Sequence, residues 1–387
     1  MKPEKLLFFK QEKQTKWLVK RTPLYEIHLD LGAEFGNVHG WELPRYYVSA
    51  VEEYVSAKKS NVIIDRTYFG KLRLWGSDAL DFLNRISTND LRGLSPGMGA
   101  GTVLTDEKGK MIDFLTIYVL KAEENYQEIL ALLSYEAMDK VKDWLNKLII
   151  MDDVKFEDVS DEFVVLSIYG AGASDLIKQD FKVDHKHFLD ISKMPAYNFI
   201  RGFIGDAEVI LARANEFMIS GYNLIFKNDF GVEIWKLLLN RGFVLIGNDV
   251  FEVLRIESGF PAYGREITEE YNPLEANLGK FVSFSKGCYI GQEVLARIDS
   301  YNKLQRKLVG FVIEKGKTKS RVEEGSIVCS GDEEIGKLTS VDFSYGFQKV
   351  IALGYVKIKY AIQGERVEIC SGDDKFQAII VIPPFSI

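Results

Sequence analysis

Apolar residues recur along this chain with two periods, one near 3.6 and one near 2, and stretches of the two kinds alternate. Ala79, Leu80, Leu83 and Ile86 fall at helical spacing, as do Met138, Val141, Leu145 and Leu148. Residues 61–64 and 70–75 read as strands around a polar turn at 65–67. Residues 101–105 and 110–120 read as another pair, joined by the Asp106-Glu107-Lys108-Gly109 turn. A helix is expected over 48–59, with Val51 and Val55 on one face and Glu52 and Lys59 on the other. Strand–helix–strand–strand–helix order of this kind implies an antiparallel sheet with helices on one face.

A second unit begins near Asp153. Residues 163–169 form a buried strand, and strands over 207–213 and 223–226 precede a helix opened by Gly231-Val232-Glu233 and ended by Gly242. A further helix spans 248–258. The third unit runs from about 303 to the end as short strands and polar turns, the composition of a small barrel or curled sheet. Cys329-Ser330-Gly331-Asp332 and Cys370-Ser371-Gly372-Asp373 each follow a strand and read as hairpin tips rather than a two-cysteine site. The fold class is α+β.

Composition narrows the function. At 387 residues the chain needs two or three cores. Its net charge of −7 excludes the basic face that nucleic-acid binding requires. No apolar run approaches the length of a membrane span. Three cysteines far apart in sequence, Cys288, Cys329 and Cys370, provide neither metal spacing nor a disulfide framework and suit a reducing compartment. His185 and His187 form a His-x-His pair with no third ligand nearby, so a solvated loop is expected and no metal. Residues 1–20 read as an N-terminal extension that fits neither a secretory signal nor a transit peptide, and the expected setting is a cytoplasmic monomer, or the mitochondrial matrix in a eukaryote.

The densest motif is Lys286-Gly287-Cys288-Tyr289-Ile290-Gly291-Gln292-Glu293, a glycine-flanked turn that follows an apolar, strand-like run over 281–284 and precedes a helix marked by Val294, Leu295 and Ile298. A thiol between Lys286 and a helix N-terminus is expected to be reactive. The eight residues, with Arg297, resemble the signature of YgfZ-type folate-binding proteins, relatives of the glycine cleavage T-protein (aminomethyltransferase) that are linked to iron–sulfur enzymes. From Arg21 onward the chain is similar to the T-protein family. The shared motifs include Arg21-Thr22-Pro23-Leu24, Thr88-Asn89-Asp90, Gly231-Val232-Glu233, residues 254–259 and Pro273-Leu274-Glu275.

The resemblance implies a three-lobed ring around a channel that binds tetrahydrofolate. Two interleaved α/β sheet domains, 21–60 with 153–255 and 61–152 with 256–302, would precede a β-barrel-like domain over 303–387. It matches Glu233 to the pterin-binding carboxylate, with Tyr222 or Phe226 as an aromatic wall, and implicates Phe69, Arg255 and Lys286 in cofactor binding. Two positions depart from the family pattern. Phe114 stands where T-proteins carry a catalytic Asp, with Asp113 one residue away on the opposite strand face. Phe251 stands where they carry a folate-contacting Arg. Arg255 has a second reading, a structural salt bridge with Glu252 or Glu257. Two functional readings follow. One is a tetrahydrofolate-binding protein that supports iron–sulfur client enzymes through Cys288. The other is a folate-dependent aminomethyltransferase or related one-carbon transferase. A scaffold that binds no small molecule is a third.

Overall fold

The computed structural model describes residues 19–183, 190–214, 220–314 and 322–385. His185, His187 and nearly all of the N-terminal extension lie outside the described residues.

The strand Phe163–Tyr169 shows how the core is laid out. Val164, Leu166 and Ile168 point to one face and Val165 to the other, as a period of two requires. This strand lies inside a seven-stranded sheet, ordered Lys182–Val183, Phe199–Ile204, Ala207–Ala214, Gly221–Lys227, Phe163–Tyr169, Val62–Asp65 and Val244–Leu245. Helices Tyr25–Asp30 and Gly231–Asn240 cover one face, burying Ile27, Ile234, Trp235 and Leu238 against Leu166, Leu224 and Phe226.

A second, fully antiparallel sheet of five strands runs Gly99–Thr105, Met111–Glu123, Tyr126–Leu133, Gly70–Gly76 and Lys155–Asp158. Helices Ala79–Ile86 and Met138–Leu148 cover its outer face through Phe82, Leu83, Val141 and Leu145. The inner faces of the two sheets meet through Tyr118, Leu130 and Leu132 from one and Val165, Ile210 and Ile225 from the other. Each sheet is therefore sandwiched, and its central strands, such as Phe163–Tyr169 and Tyr126–Leu133, are apolar on both sides along their middles.

The strand Val62–Asp65 belongs to the seven-stranded sheet, paired on one side with Phe163–Tyr169 and on the other with Val244–Leu245. The crossover between sheets therefore falls at 66–69 rather than at 60. On the return it falls near Val159 rather than at 153, because Lys155–Asp158 still pairs with Gly70–Gly76.

The C-terminal unit is a closed six-stranded barrel: Arg306–Ile313, Lys349–Lys357, Glu333–Ser344, Ile327–Ser330, Arg366–Ser371 and Asp374–Val381, the last pairing back onto the first. Closure removes the free edges that short strands would otherwise expose. The barrel packs on the body through Leu308, Leu353 and Phe385, and through Tyr355 stacked on Tyr271 with ring centroids 3.5 Å apart.

Three local expectations change. The helix Ala50–Lys59 turns Val51 and Val55 outward and buries Glu53, Tyr54 and Ala57. The reason is polar: Glu53 accepts the Tyr47, Val48 and Gly247 amides, and Tyr54 donates to Glu257. The apolar run 281–284 is no strand; a single 3-10 turn, Gly279–Phe281, lies there. The barrel gains a twelve-residue strand, Glu333–Ser344, which charged residues at its start obscure in the sequence.

Candidate functional site

The five-stranded sheet, the 66–69 crossover, the helix Asn248–Ser258 and the barrel converge on a cavity of about 610 Å³. Its lining includes the aromatic side chains of Tyr68, Phe69, Phe114, Tyr135, Phe251, Phe260 and Tyr263. Charged side chains share that lining: Arg66, Glu136, Asp249, Glu252, Arg255 and Arg265, with Glu324 and Asp342 from the barrel domain.

The crossover at 66–69 is held by buried polar groups. Asp65 accepts from the Thr67 amide at 2.8 Å, the Thr22 hydroxyl at 2.6 Å and His28 at 3.1 Å. Burial opposes the charge on Asp65, yet His28 and the two hydroxyls hold its pKa below the ordinary value. Lys71, wholly buried, donates to the carbonyls of Thr67 and Ser160. Burial lowers its pKa to about 7. The loop so fixed presents Arg66 between two rings, its guanidinium 4.2 Å from Phe69 and 4.5 Å from Phe251. A cation sandwiched between rings is oriented without losing its charge.

Strand alternation sorts Asp113 from Phe114. Phe114 and Thr116 line the cavity, and Phe114 meets Phe260 and Phe281 edge-on. Asp113 faces away, buried, and accepts from both the amide and the hydroxyl of Ser134 at 2.9 Å. Burial pushes its carboxyl up to about 7, against the pull of those two bonds. Ser134 itself lines the cavity.

Arg255 joins the cavity floor to the barrel. It donates to Glu252 at 2.6 and 2.8 Å, to Glu266 at 3.0 Å, to the Phe260 carbonyl at 2.6 Å and to Ser340 of the barrel at 2.6 Å. Burial opposes both charges, but Arg255 and Arg265 hold Glu252 at about 2, and Glu252 with Glu266 raises Arg255. Its partners are thus Glu252 and Glu266; Glu257 instead binds Tyr54, Lys58 and Ser344.

Of the residues singled out in the sequence, Phe69, Phe114 and Arg255 line the cavity, as does Phe251. Tyr222 is core: its hydroxyl donates to the Ile191 carbonyl and accepts from Arg213, so it forms no cavity wall. Phe226 is likewise core. Glu233 is exposed in the first turn of its helix, where a carboxylate complements the helix dipole, and it is not among the residues lining the cavity. Lys286 and Cys288 also lie outside the lining. The Lys286 ammonium is buried and donates to the carbonyls of Asn84, Ser87 and Asn89 at 2.5–2.6 Å, while Cys288 is exposed. Burial lowers Lys286 to about 7. The lysine therefore pins its loop to the segment 84–89, and the thiol beside it faces outward.

Sequence reading missed Arg66, Arg265 and the pair of His39 with Glu136 at 2.6 Å. Arg66 lay in a turn noted only as polar; the others gain meaning only when the three lobes meet. Among the described residues, no group of three or more His, Cys, Asp or Glu side chains is arranged to hold a metal, and no helix is long and apolar enough to cross a membrane.

Comparison with known proteins agrees with this architecture. Residues 24–286 match the GCVT N-terminal domain, and residues 306–386 match the glycine cleavage T-protein C-terminal barrel domain. The chain belongs to the glycine cleavage T-protein family. It is 30% identical to the aminomethyltransferase of Halothermothrix orenii over 371 residues, covering 95% of this chain and 100% of that one. The aminomethyltransferase of Symbiobacterium thermophilum is also 30% identical, over 95% of this chain and 97% of its own length. The crystal structure of glycine cleavage system aminomethyltransferase T from Bartonella henselae superposes with a TM-score of 0.81 at 21% identity, covering 95% and 98% of the two chains. The T-protein fold, two sheet-containing lobes and a six-stranded barrel, is thereby shown.

Proposed function

We propose that this member of the T-protein family binds tetrahydrofolate in the cavity and acts as an aminomethyltransferase-like one-carbon transferase. The observation that carries the reading is the cavity itself: lined by aromatic rings and charged side chains together, and built by all three lobes of a chain similar to aminomethyltransferases over 95% of its length. Its volume lies in the range of small-ligand sites. The residues present fit a reduced folate. Flat rings suit the faces of Phe69, Phe251 and Phe260. Glu136, Asp249 and Glu252 offer acceptors to the donor-rich edge of a pterin, and Arg66 or Arg265 offers a cation to a tail carboxylate.

Bound tetrahydrofolate supplies nucleophilic nitrogens that accept a one-carbon unit. The chain's own part is to seat the ring system, exclude water with the aromatic side chains and orient the tail. Phe114 places a hydrocarbon where the family resemblance expects a carboxylate, so proton movement receives no side-chain help there and turnover is slow.

Titration with tetrahydrofolate tests the reading. At one hundred times Kd, binding to the native state alone adds about 2.7 kcal/mol of stability, visible as a higher melting temperature. An unchanged melting temperature at saturating tetrahydrofolate would sink the proposal.

The exposed Cys288, on a loop anchored by the buried Lys286, favours a second reading as a YgfZ-like folate protein that supports iron–sulfur clients. A Cys288→Ala strain that loses iron–sulfur enzyme activity while the protein stays folded supports it. Unchanged activity removes it.

A further inference from the structure

Cys329 and Cys370 are 41 positions apart in sequence and adjacent in space. They lie on the paired barrel strands Ile327–Ser330 and Arg366–Ser371, where Cys370 opposes Ile327 and Cys329 opposes Glu368. Residues two apart on a strand share a face, so the cysteines are diagonal neighbours on one face of the barrel wall. Their sulfur atoms are 3.6 Å apart, and both thiols are free and half-buried. The two segments are hairpin tips, as expected, but the expectation that they form no two-cysteine site is corrected. Each tip turns at a glycine with positive φ, Gly331 at +59° and Gly372 at +58°, and the barrel sets the two copies side by side.

The charged residues around the pair come from three strands. Glu334 opposes Cys329 from one side and Glu368 from the other, while Lys375 opposes Cys370 and lies 3.3 Å from Glu368. Burial, the Cys370 thiol and Glu334 raise the Cys329 pKa. Lys375 is placed to settle a thiolate formed at either sulfur.

We propose that Cys329 and Cys370 form a redox-modification site, a dithiol that closes reversibly to an intramolecular disulfide by exchange with a low-molecular-weight disulfide. One barrel thiol loses its proton to solvent, and its thiolate attacks the small disulfide. The small S–S bond breaks, a mixed disulfide forms and one small thiol leaves after taking up a proton. The second barrel thiol then loses its proton and attacks the barrel sulfur of the mixed disulfide, releasing the second small thiol. Overall, two electrons and two protons pass from the barrel dithiol to the small disulfide. The second attack is favoured because its sulfur is already in contact with the first.

Glu324, which lines the cavity and pairs with Arg265 at 3.4 Å, lies three residues ahead of the strand bearing Cys329.

The test uses the full, reduced chain in mixtures of reduced and oxidised glutathione at pH 8, followed by alkylation and peptide mass mapping. Cys329 and Cys370 should be joined to each other without glutathione, while Cys288 carries glutathione. The intramolecular bond should withstand roughly tenfold more reduced glutathione than the Cys288 adduct, because its partner thiol is held at high effective concentration. In Cys329→Ser, Cys370 should be captured as a glutathione adduct, showing that its thiol is reachable. Separate glutathiones on Cys329 and Cys370, or two free thiols under conditions that modify Cys288, would overturn the proposal.

Discussion

The cavity and the 286–291 loop divide the chemistry of this protein unequally. The loop holds the densest sequence motif, yet in space it is a pinned turn with an exposed thiol. Lys286 is spent on three carbonyls. The cavity is assembled from single residues scattered between Asn37 and Asp342, few of which stand out in the sequence. Motif density therefore reports a local backbone requirement: Gly291 has φ +83°, and a Cβ there would meet the Asp106 carbonyl at 2.7 Å. Ligand-binding potential comes instead from convergence.

That contrast can be broken from either side. The largest effect is expected at the cavity floor. Arg255→Met leaves Glu252 and Glu266 without their shared cation and should cost about 3–5 kcal/mol in denaturant unfolding. A loss under 1 kcal/mol would show that Arg255 does not couple the cavity to the barrel.

Phe114→Asp sharpens the cavity side. If position 114 faces bound folate, a carboxylate there should raise one-carbon transfer by about 10²-fold or more, measured with an aminomethylated lipoyl carrier. No gain in a variant that still binds tetrahydrofolate would detach the apolar lining from the chemistry.

On the loop side, Lys286→Met removes the ammonium from three carbonyls and should cost about 1–3 kcal/mol. Folate affinity should be unchanged. A joint loss of stability and affinity would merge the two regions into one site.

The last effect is a pH slope. Asp113 has a native pKa raised to about 7, above its ordinary value of 3.8, so the native state binds its proton more tightly than the unfolded state. The stability this contributes is fully present below pH 4 and is lost as pH rises through 7, by about 1.4 kcal/mol per unit at most. Asp113→Asn should flatten the slope between pH 4 and 7. A slope identical in the parent and Asp113→Asn would show that the Asp113 carboxyl does not hold its proton in this window.

Much of the fold was legible because it is local. The period-two strand Phe163–Tyr169, the helix Asn248–Ser258 and the Gly109 turn follow from side-chain spacing and backbone freedom alone. The placement of Phe114 opposite Asp113 was equally legible, since alternation along a strand is geometric. The whole-length resemblance to T-proteins carried the lobes and the barrel.

Other features depended on contacts far apart in the chain. Helix Ala50–Lys59 rotated against its apolar pattern because Glu53 found amide partners at 47, 48 and 247. Val62–Asp65 joined the sheet whose other strands lie a hundred and more residues later. Arg66 became a cavity cation only once Phe251 arrived on the other side of it, and Cys329 met Cys370 only when the barrel closed. The sequence by itself determined the periods, turns and strand faces, because these rest on backbone geometry within a few residues. Tertiary structure alone decided which polar groups were buried together, because that energy depends on partners that sequence distance does not reveal.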